Sequence, residues 1–241
     1  MTPVTLYQFA LCPYCHKVRA GLEAKGIVYR TVEVNPMNKR GLPPLPEGAP
    51  RKVPVLDWGG EVIFDSTVIL KALDQKAPGG VRLLPESAAA LARTEEVEDW
   101  VDDALTFALP TVIYGTWKEA FNAAQVTART SNFGPVQNLM VRAGGSLIMH
   151  QVVKRILKKH NETDAHAWVA REIDRFEAWL GEQPFVCGAS PSLGDIATHG
   201  ALSCIADFPI YAELMKRPRL AAWFERVRAL RAIPAIEMHR D

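Results

Sequence analysis

Short apolar runs alternate with helical patterns over the first third of the chain, and helical patterns alone fill the rest. Val4-Thr5-Leu6-Tyr7-Gln8-Phe9 reads as a short buried strand. Pro13 then suits the first turn of a helix, where its missing N–H costs nothing. Cys15, Val18, Leu22 and the stem of Lys25 recur at helical spacing, and Gly26 ends that helix. Residues 27–34 are rich in β-branched side chains and predict a second strand, stopped by Asn35-Pro36. Residues 37–52 hold Pro43, Pro44, Pro46 and Pro50, so a regular helix cannot persist and a surface loop is expected. Val53-Pro54-Val55-Leu56 predicts a third strand, 57–61 a turn, and Val62-Ile63-Phe64 a fourth strand. Ser66 to Lys76 follows as a helix with Val68, Ile69 and Leu73 inward.

The order strand, helix, strand, loop, strand, strand, helix predicts an α/β thioredoxin-like N-terminal domain over 1–78, its parallel strands joined by a right-handed crossover. Ala77-Pro78-Gly79-Gly80 opens a linker, taken as 79–90. An all-α C-terminal domain of five to seven helices is expected over 91–241. Its helical patterns cover 87–107, 136–160, 164–181, 192–206 and 219–230, with Pro110 expected to end or kink the first.

Bulk properties exclude more than they select. The 241 residues carry a net charge of +1, which builds no field for nucleic acid or a membrane surface. Residues 1–8 lack the basic start and apolar core of a secretory leader, and the apolar stretch 104–117 is too short and polar-interrupted to span a bilayer. Four cysteines are too few for a disulfide scaffold and fit a reducing, cytoplasmic setting.

Candidate chemistry begins at Cys12-Pro13-Tyr14-Cys15, a glutaredoxin-like Cys-Pro-Tyr-Cys motif at a strand-to-helix junction. There the amides of the first helical turn and the helix dipole favour thiolate. Lys17, Arg19 and His16 are expected to add positive charge. Thiols so placed have pKa values of roughly 3.5–7.5, so Cys12 is the candidate nucleophile and Cys15 the resolving thiol. Two buried small side chains, or half of a zinc site, are the alternatives. Zinc wants four ligands, and no second pair stands at the required spacing, so no metal is expected.

Two further pairs add weak signals. Val53-Pro54 can be cis, which would turn the Val53 N–H and C=O toward the motif, where an extended peptide can pair with them. Asp65-Ser66 reads as an N-cap, and the amides of the helix it starts can also hold a carboxylate, with Asp65 accepting from an ammonium group. A thiolate, a strand partner and a carboxylate clamp together fit glutathione. Ser192-Leu193-Gly194-Asp195 has capping-box spacing and reads as structural. The basic run Lys154 to His160 reads as a solvated helix end, with an anion site as its functional alternative.

These segments, with Arg51-Lys52-Val53-Pro54-Val55-Leu56, Asp65-Ser66-Thr67-Val68-Ile69 and Asn132-Phe133-Gly134, resemble the glutathione transferases, and among them the prostaglandin E synthase 2 branch. The resemblance implies a two-domain, usually dimeric protein with glutathione beside Cys12. Phe9 and Tyr14 would line the substrate site, and Val53, Pro54, Asp65 and Ser66 would hold glutathione. It also implies haem, with His160 meeting a propionate. A tyrosine of that branch is Phe9 here, which removes a hydroxyl from the site and weakens the expectation of an endoperoxide isomerase. The branch's membrane-anchoring segment has no counterpart here, so no membrane attachment is expected.

The leading expectation is a glutathione-dependent transferase or thiol oxidoreductase acting on a small apolar or disulfide substrate. Trp100, Phe107 and Phe133 are expected around its second-substrate pocket. The alternative is a non-catalytic interaction module on the same fold.

Overall fold

The computed structural model describes residues 2–231 and the backbone of 237–239. The elements run β1 (Val4–Gln8), α1 (Pro13–Ala24), β2 (Arg30–Glu33), β3 (Val55–Trp58), β4 (Glu61–Phe64), α2 (Ser66–Lys76), then α3 (Ala88–Trp100). A π-helical turn at Val101–Leu105 leads into α4 (Thr106–Ile113). Next come α5 (Trp117–Thr130), α6 (Pro135–Lys159), α7 (Ala165–Leu180), α8 (Leu193–Ser203), α9 (Pro209–Leu214), α10 (Pro218–Leu230) and β5 (Glu237–His239). The sheet order is β4-β3-β1-β2-β5. β1 pairs parallel with β2 and antiparallel with β3, with Gln8 opposite Glu33 at the carboxyl end of both parallel strands. This is a thioredoxin-like domain followed by a helical domain, as the alternation of patterns implied.

Several boundaries differ from the sequence expectation. β3 starts at Val55 and leaves Val53-Pro54 ahead of it, with that peptide bond cis. Val68 faces outward, 53% exposed, while Leu70 joins Ile69 and Leu73 in the core. Pro110 lies inside α4 and does not end it. The ladder is already widened in the π turn just upstream, and hydroxyls of Thr106 and Thr111 donate to the carbonyls of Asp102 and Ala108. α5 and the short α9 are additional to the expected helices, and β5 joins β2 in parallel, so the last described residues return to the N-terminal sheet.

The core is continuous across both domains. Leu6, Val18, Leu22, Leu56, Ile69 and Leu73 are fully buried on the sheet side, and Leu105, Ile173, Phe176, Ile196 and Trp223 among the helices. Each such side chain contributes about 1.5–3 kcal/mol by leaving water. α1 and α8 pack at backbone distance. A Cβ at Gly200 would lie 2.6 Å from the Lys17 Cα, so only glycine permits that approach. Lys17 itself is wholly buried and donates to Glu98 at 2.7 Å and to Asp102, linking α1 to α3 and the π turn. Thr67 on α2 donates to the same Glu98 at 2.6 Å.

α8 starts with the expected capping box at Ser192 and Asp195. Asp195, fully buried, also accepts from the Val186 amide and from the Trp223 indole at 2.8 Å. No helix among the described residues is long and apolar enough to cross a membrane.

Candidate active site

Cys12 occupies the N-cap position of α1, with extended backbone and no side-chain cap of its own. Its N–H donates to the Phe9 carbonyl at 2.9 Å, closing the turn that lifts the thiol off the sheet edge. Cys12 is half-buried and Cys15 buried. The Cys15 thiol donates to the Cys12 sulfur, and the amides of Cys15 and Tyr14 point at it. Together these hold the Cys12 thiol below its ordinary value, against burial and the Glu33 charge. Burial, with Cys12 alongside, pushes Cys15 well above its ordinary value. One thiol is therefore poised to ionise and its neighbour to stay protonated.

The charges expected to assist Cys12 do not do so. Lys17 is engaged by Glu98 and Asp102. His16 is held at about 4 by burial, so its neutral imidazole donates from Nε2 to the Ala10 carbonyl at 2.8 Å. Arg19 acts on Glu33, whose carboxyl it helps hold down, and on Tyr29. The Cys15 thiol and the amides at the helix start, and not neighbouring cations, favour the Cys12 thiolate.

A cavity of about 420 Å³ brings together five of the residues singled out from sequence: Tyr14, Val53, Pro54, Asp65 and Ser66. Lys52, Asp102, Asp103, Phe64 and Phe107 complete its charged and aromatic wall. Pattern reasoning missed the first three because nothing local marks them. Val53 takes no backbone partner for its N–H or C=O among the described residues. Asp65, at φ 75°, caps α2 by accepting from the Thr67 and Val68 amides through one carboxylate oxygen. The helix start thus offers Ser66, not a full turn of free amides. The Tyr14 hydroxyl donates to Thr106 at 3.1 Å, because the Thr106 proton is given to the Asp102 carbonyl.

A second, apolar cavity of about 220 Å³ is lined by Leu11, Pro13, Leu109, Ile113, Met149 and Phe208, among others. Cys12 stands between the two cavities in sequence, with Leu11 and Pro13 in one wall and Tyr14 in the other. Cys204 also lines the apolar cavity and its thiol donates to the Leu11 carbonyl at 3.3 Å. Its place beside the motif, 192 residues away in sequence from Cys12, had no sequence signal.

The aromatic trio expected around one pocket is dispersed. Phe107 lines the 420 Å³ cavity. Phe133 lines a separate cavity of about 580 Å³ against β1 and β2. Trp100 is core, stacked on Phe176 and donating to Glu172 at 2.6 Å. His160 caps α6 with its ring between Phe107 and Trp168, 5.0 and 5.1 Å between centroids, and its Nε2 is buried without a partner. Phe107 lines the cavity and His160 does not, so the described site gives the expected haem contact no support.

The chain and its fold find matching relatives. The model of the glutathione S-transferase N-terminal domain matches residues 6–80, and that of the glutathione S-transferase C-terminal domain matches 147–230. Prostaglandin E synthase 2 of Mus musculus is 27% identical over 97% of this chain and 72% of its own length. Among solved structures, the beta-etherase LigF from Sphingobium sp. strain SYK-6 is similar with a TM-score of 0.60 at 24% identity, covering 95% of this chain and 96% of that one. A glutathione S-transferase from Methylobacterium radiotolerans, in complex with glutathione sulfonate, is similar with a TM-score of 0.59 at 22% identity, covering 100% and 99%. With two domain models matching in order along one chain, and the fold they imply observed, the protein belongs to the glutathione S-transferase family.

Proposed function

We propose that this protein is a glutathione-dependent thiol transferase that uses Cys12 as its nucleophile in a reducing, cytoplasmic setting. The observation that carries the proposal is the placing of half-buried Cys12 at the N-cap of α1, with buried Cys15 one turn on, at a junction flanked by a polar and an apolar cavity; the lowered Cys12 and raised Cys15 thiols support it.

Glutathione would lie in the polar cavity. Its cysteinyl backbone would pair with the Val53 N–H and C=O as an added strand. Its γ-glutamyl carboxylate would take the Ser66 N–H and hydroxyl, and its ammonium the second oxygen of Asp65. Lys52 offers a cation to the glycyl carboxylate. The apolar cavity suits the non-glutathione half of the substrate.

Cys12 thiolate attacks the glutathionyl sulfur of a mixed disulfide, forming a Cys12–glutathione disulfide and releasing the substrate thiolate, which takes a proton. Cys15 then loses its proton and attacks the Cys12 sulfur, releasing glutathione as thiolate and leaving a Cys12–Cys15 disulfide. Two further glutathione molecules reduce that bond and leave as glutathione disulfide. Phe9 brings no hydroxyl to the site, which favours thiol exchange over endoperoxide isomerisation.

The test is turnover of a glutathione mixed disulfide together with retention on immobilised glutathione. Cys12→Ser should abolish turnover while retaining glutathione binding. Cys15→Ser should slow the reaction if the dithiol route operates. A wild-type protein with no retention and no exchange would end this reading.

A further inference from the structure

We propose that Glu33 is a positioning residue of the thiol site: its carboxylate holds the segment carrying Cys12 through the Ala10 amide, and its protonation on the neighbouring strand tunes Cys12 reactivity. The proposal rests on Cys12 being the reactive thiol.

The geometry starts from the end of the β1–β2 ladder. Gln8 and Glu33 are register partners and the last residues of their strands. The ladder closes with the Val34 amide donating to the Gln8 carbonyl at 2.7 Å. Beyond it the chain of β1 turns away, and the Ala10 amide would lose its strand partner. Glu33 takes over, accepting from Ala10 N–H at 2.8 Å, with the Gln8 side-chain Nε2 donating to its other oxygen at 3.4 Å. The Ala10 carbonyl is held from the opposite side by His16 at 2.8 Å. Both polar groups of Ala10 are thereby fixed two residues before Cys12, and a shift there moves the sulfur relative to the amides that stabilise its thiolate.

Glu33 has a second face. It also lines the 580 Å³ cavity, with Tyr7, Arg40 and Arg129 among its walls and none of the glutathione-site residues. Its carboxyl can exchange a proton through that cavity without opening the cysteine site. The groups bearing on it are the Gln8 side chain from β1, the Ala10 amide, Arg19 from α1 and the two cysteines, while Tyr7 from β1, Arg40 from the loop after β2 and Arg129 from α5 share the cavity it lines. Burial is the largest influence and pushes Glu33 up to about 7, with the Ala10 amide, Gln8 and Arg19 opposing it. Its negative charge raises both thiols. As pH rises through neutrality, ionisation of Glu33 therefore works against formation of the Cys12 thiolate.

The experiment is the rate of Cys12 alkylation by iodoacetamide against pH, read by peptide mass spectrometry on the full chain. The wild type should rise in two stages with a flattening near neutrality. Glu33→Gln keeps an oxygen for Ala10 but removes the charge. It should give a single stage with its midpoint at least about 1 unit lower, the coupling that two visible stages require. Glu33→Ala should show the same loss of the second stage and, lacking the acceptor, a lower melting temperature. A Glu33→Gln profile superimposing on wild type overturns the proposal. So does a wild-type profile with one plain stage, which decides the matter even if neither variant folds. Alkylation uses no glutathione. Failure of glutathione exchange with an intact Glu33 effect would remove the transferase reading and leave this one standing.

Discussion

Lys17 carries the sharpest stability test. Its ammonium has no exposed surface and faces Glu98, 6% exposed, and Asp102, 28% exposed. Replacing it with methionine keeps the buried stem but leaves two carboxylates near each other without their cation. Breaking a buried pair by removing one partner typically costs about 3–5 kcal/mol. The low end applies here, because Asp102 can turn to water and Thr67 still donates to Glu98. About 3 kcal/mol in a chain of this size lowers the melting temperature by roughly 6–12 °C. Calorimetry at pH 7 should show that drop for Lys17→Met, and adding Glu98→Gln should recover part of it by removing the uncompensated charge. The Cys12 alkylation profile should be unchanged, since Lys17 serves the junction between α1 and α3 and not the thiol. A melting temperature within about 2 °C of wild type would refute the argument that this ion pair holds the domains together.

Gly200→Ala should destabilise by more than the usual 1–3 kcal/mol or so of overpacking, because its Cβ meets the Lys17 and His16 backbone and not a movable side chain. Chemical denaturation reads this directly, and a neutral result would mean α8 can shift freely against α1. Asp195→Ala removes the acceptor for Ser192, Val186 and Trp223 and should cost roughly 3 kcal/mol or more, with glutathione affinity of the folded fraction unaffected. Stability should also fall on acidification. His16 and His199 are held by burial at about 4 and about 3, so below pH 6.5 the unfolded chain binds protons that the folded one refuses. Glu33 acts oppositely between its ordinary value and about 7, where the folded chain binds the extra proton. Denaturant midpoints should therefore decline gently from pH 6.5 to about 4.5 and more steeply below. His199→Gln should flatten the decline, and an unchanged slope would exclude His199 as its source.

Much of this protein is local, and local features are legible in a sequence. The Pro13 helix start, the Gly26 stop, the Asp65 and Ser192 caps and the alternation of strands and helices all depend on residues within a few positions of one another. So does the placing of Cys12 at a helix N-terminus, which is enough to name it as the candidate nucleophile. The α5 start carries the same kind of signal in Thr116 and Glu119, which form a capping box. Other features depend on residues that only the fold brings together. Neighbouring cations looked helpful to Cys12 in the sequence, yet Lys17 is engaged by α3 and His16 is neutral because it is buried. Trp100, Phe107 and Phe133 look alike as apolar positions and end in three different places. Glu33 reads as an ordinary strand residue, and becomes part of the thiol site only because the parallel register sets it opposite Gln8 and within reach of Ala10. By itself the sequence determined the fold class and the candidate thiol, because caps, turns and periodicity act over a few residues. Burial and long-range charge pairing decided which groups stay charged and which cavities flank that thiol, because both are properties of the packed chain.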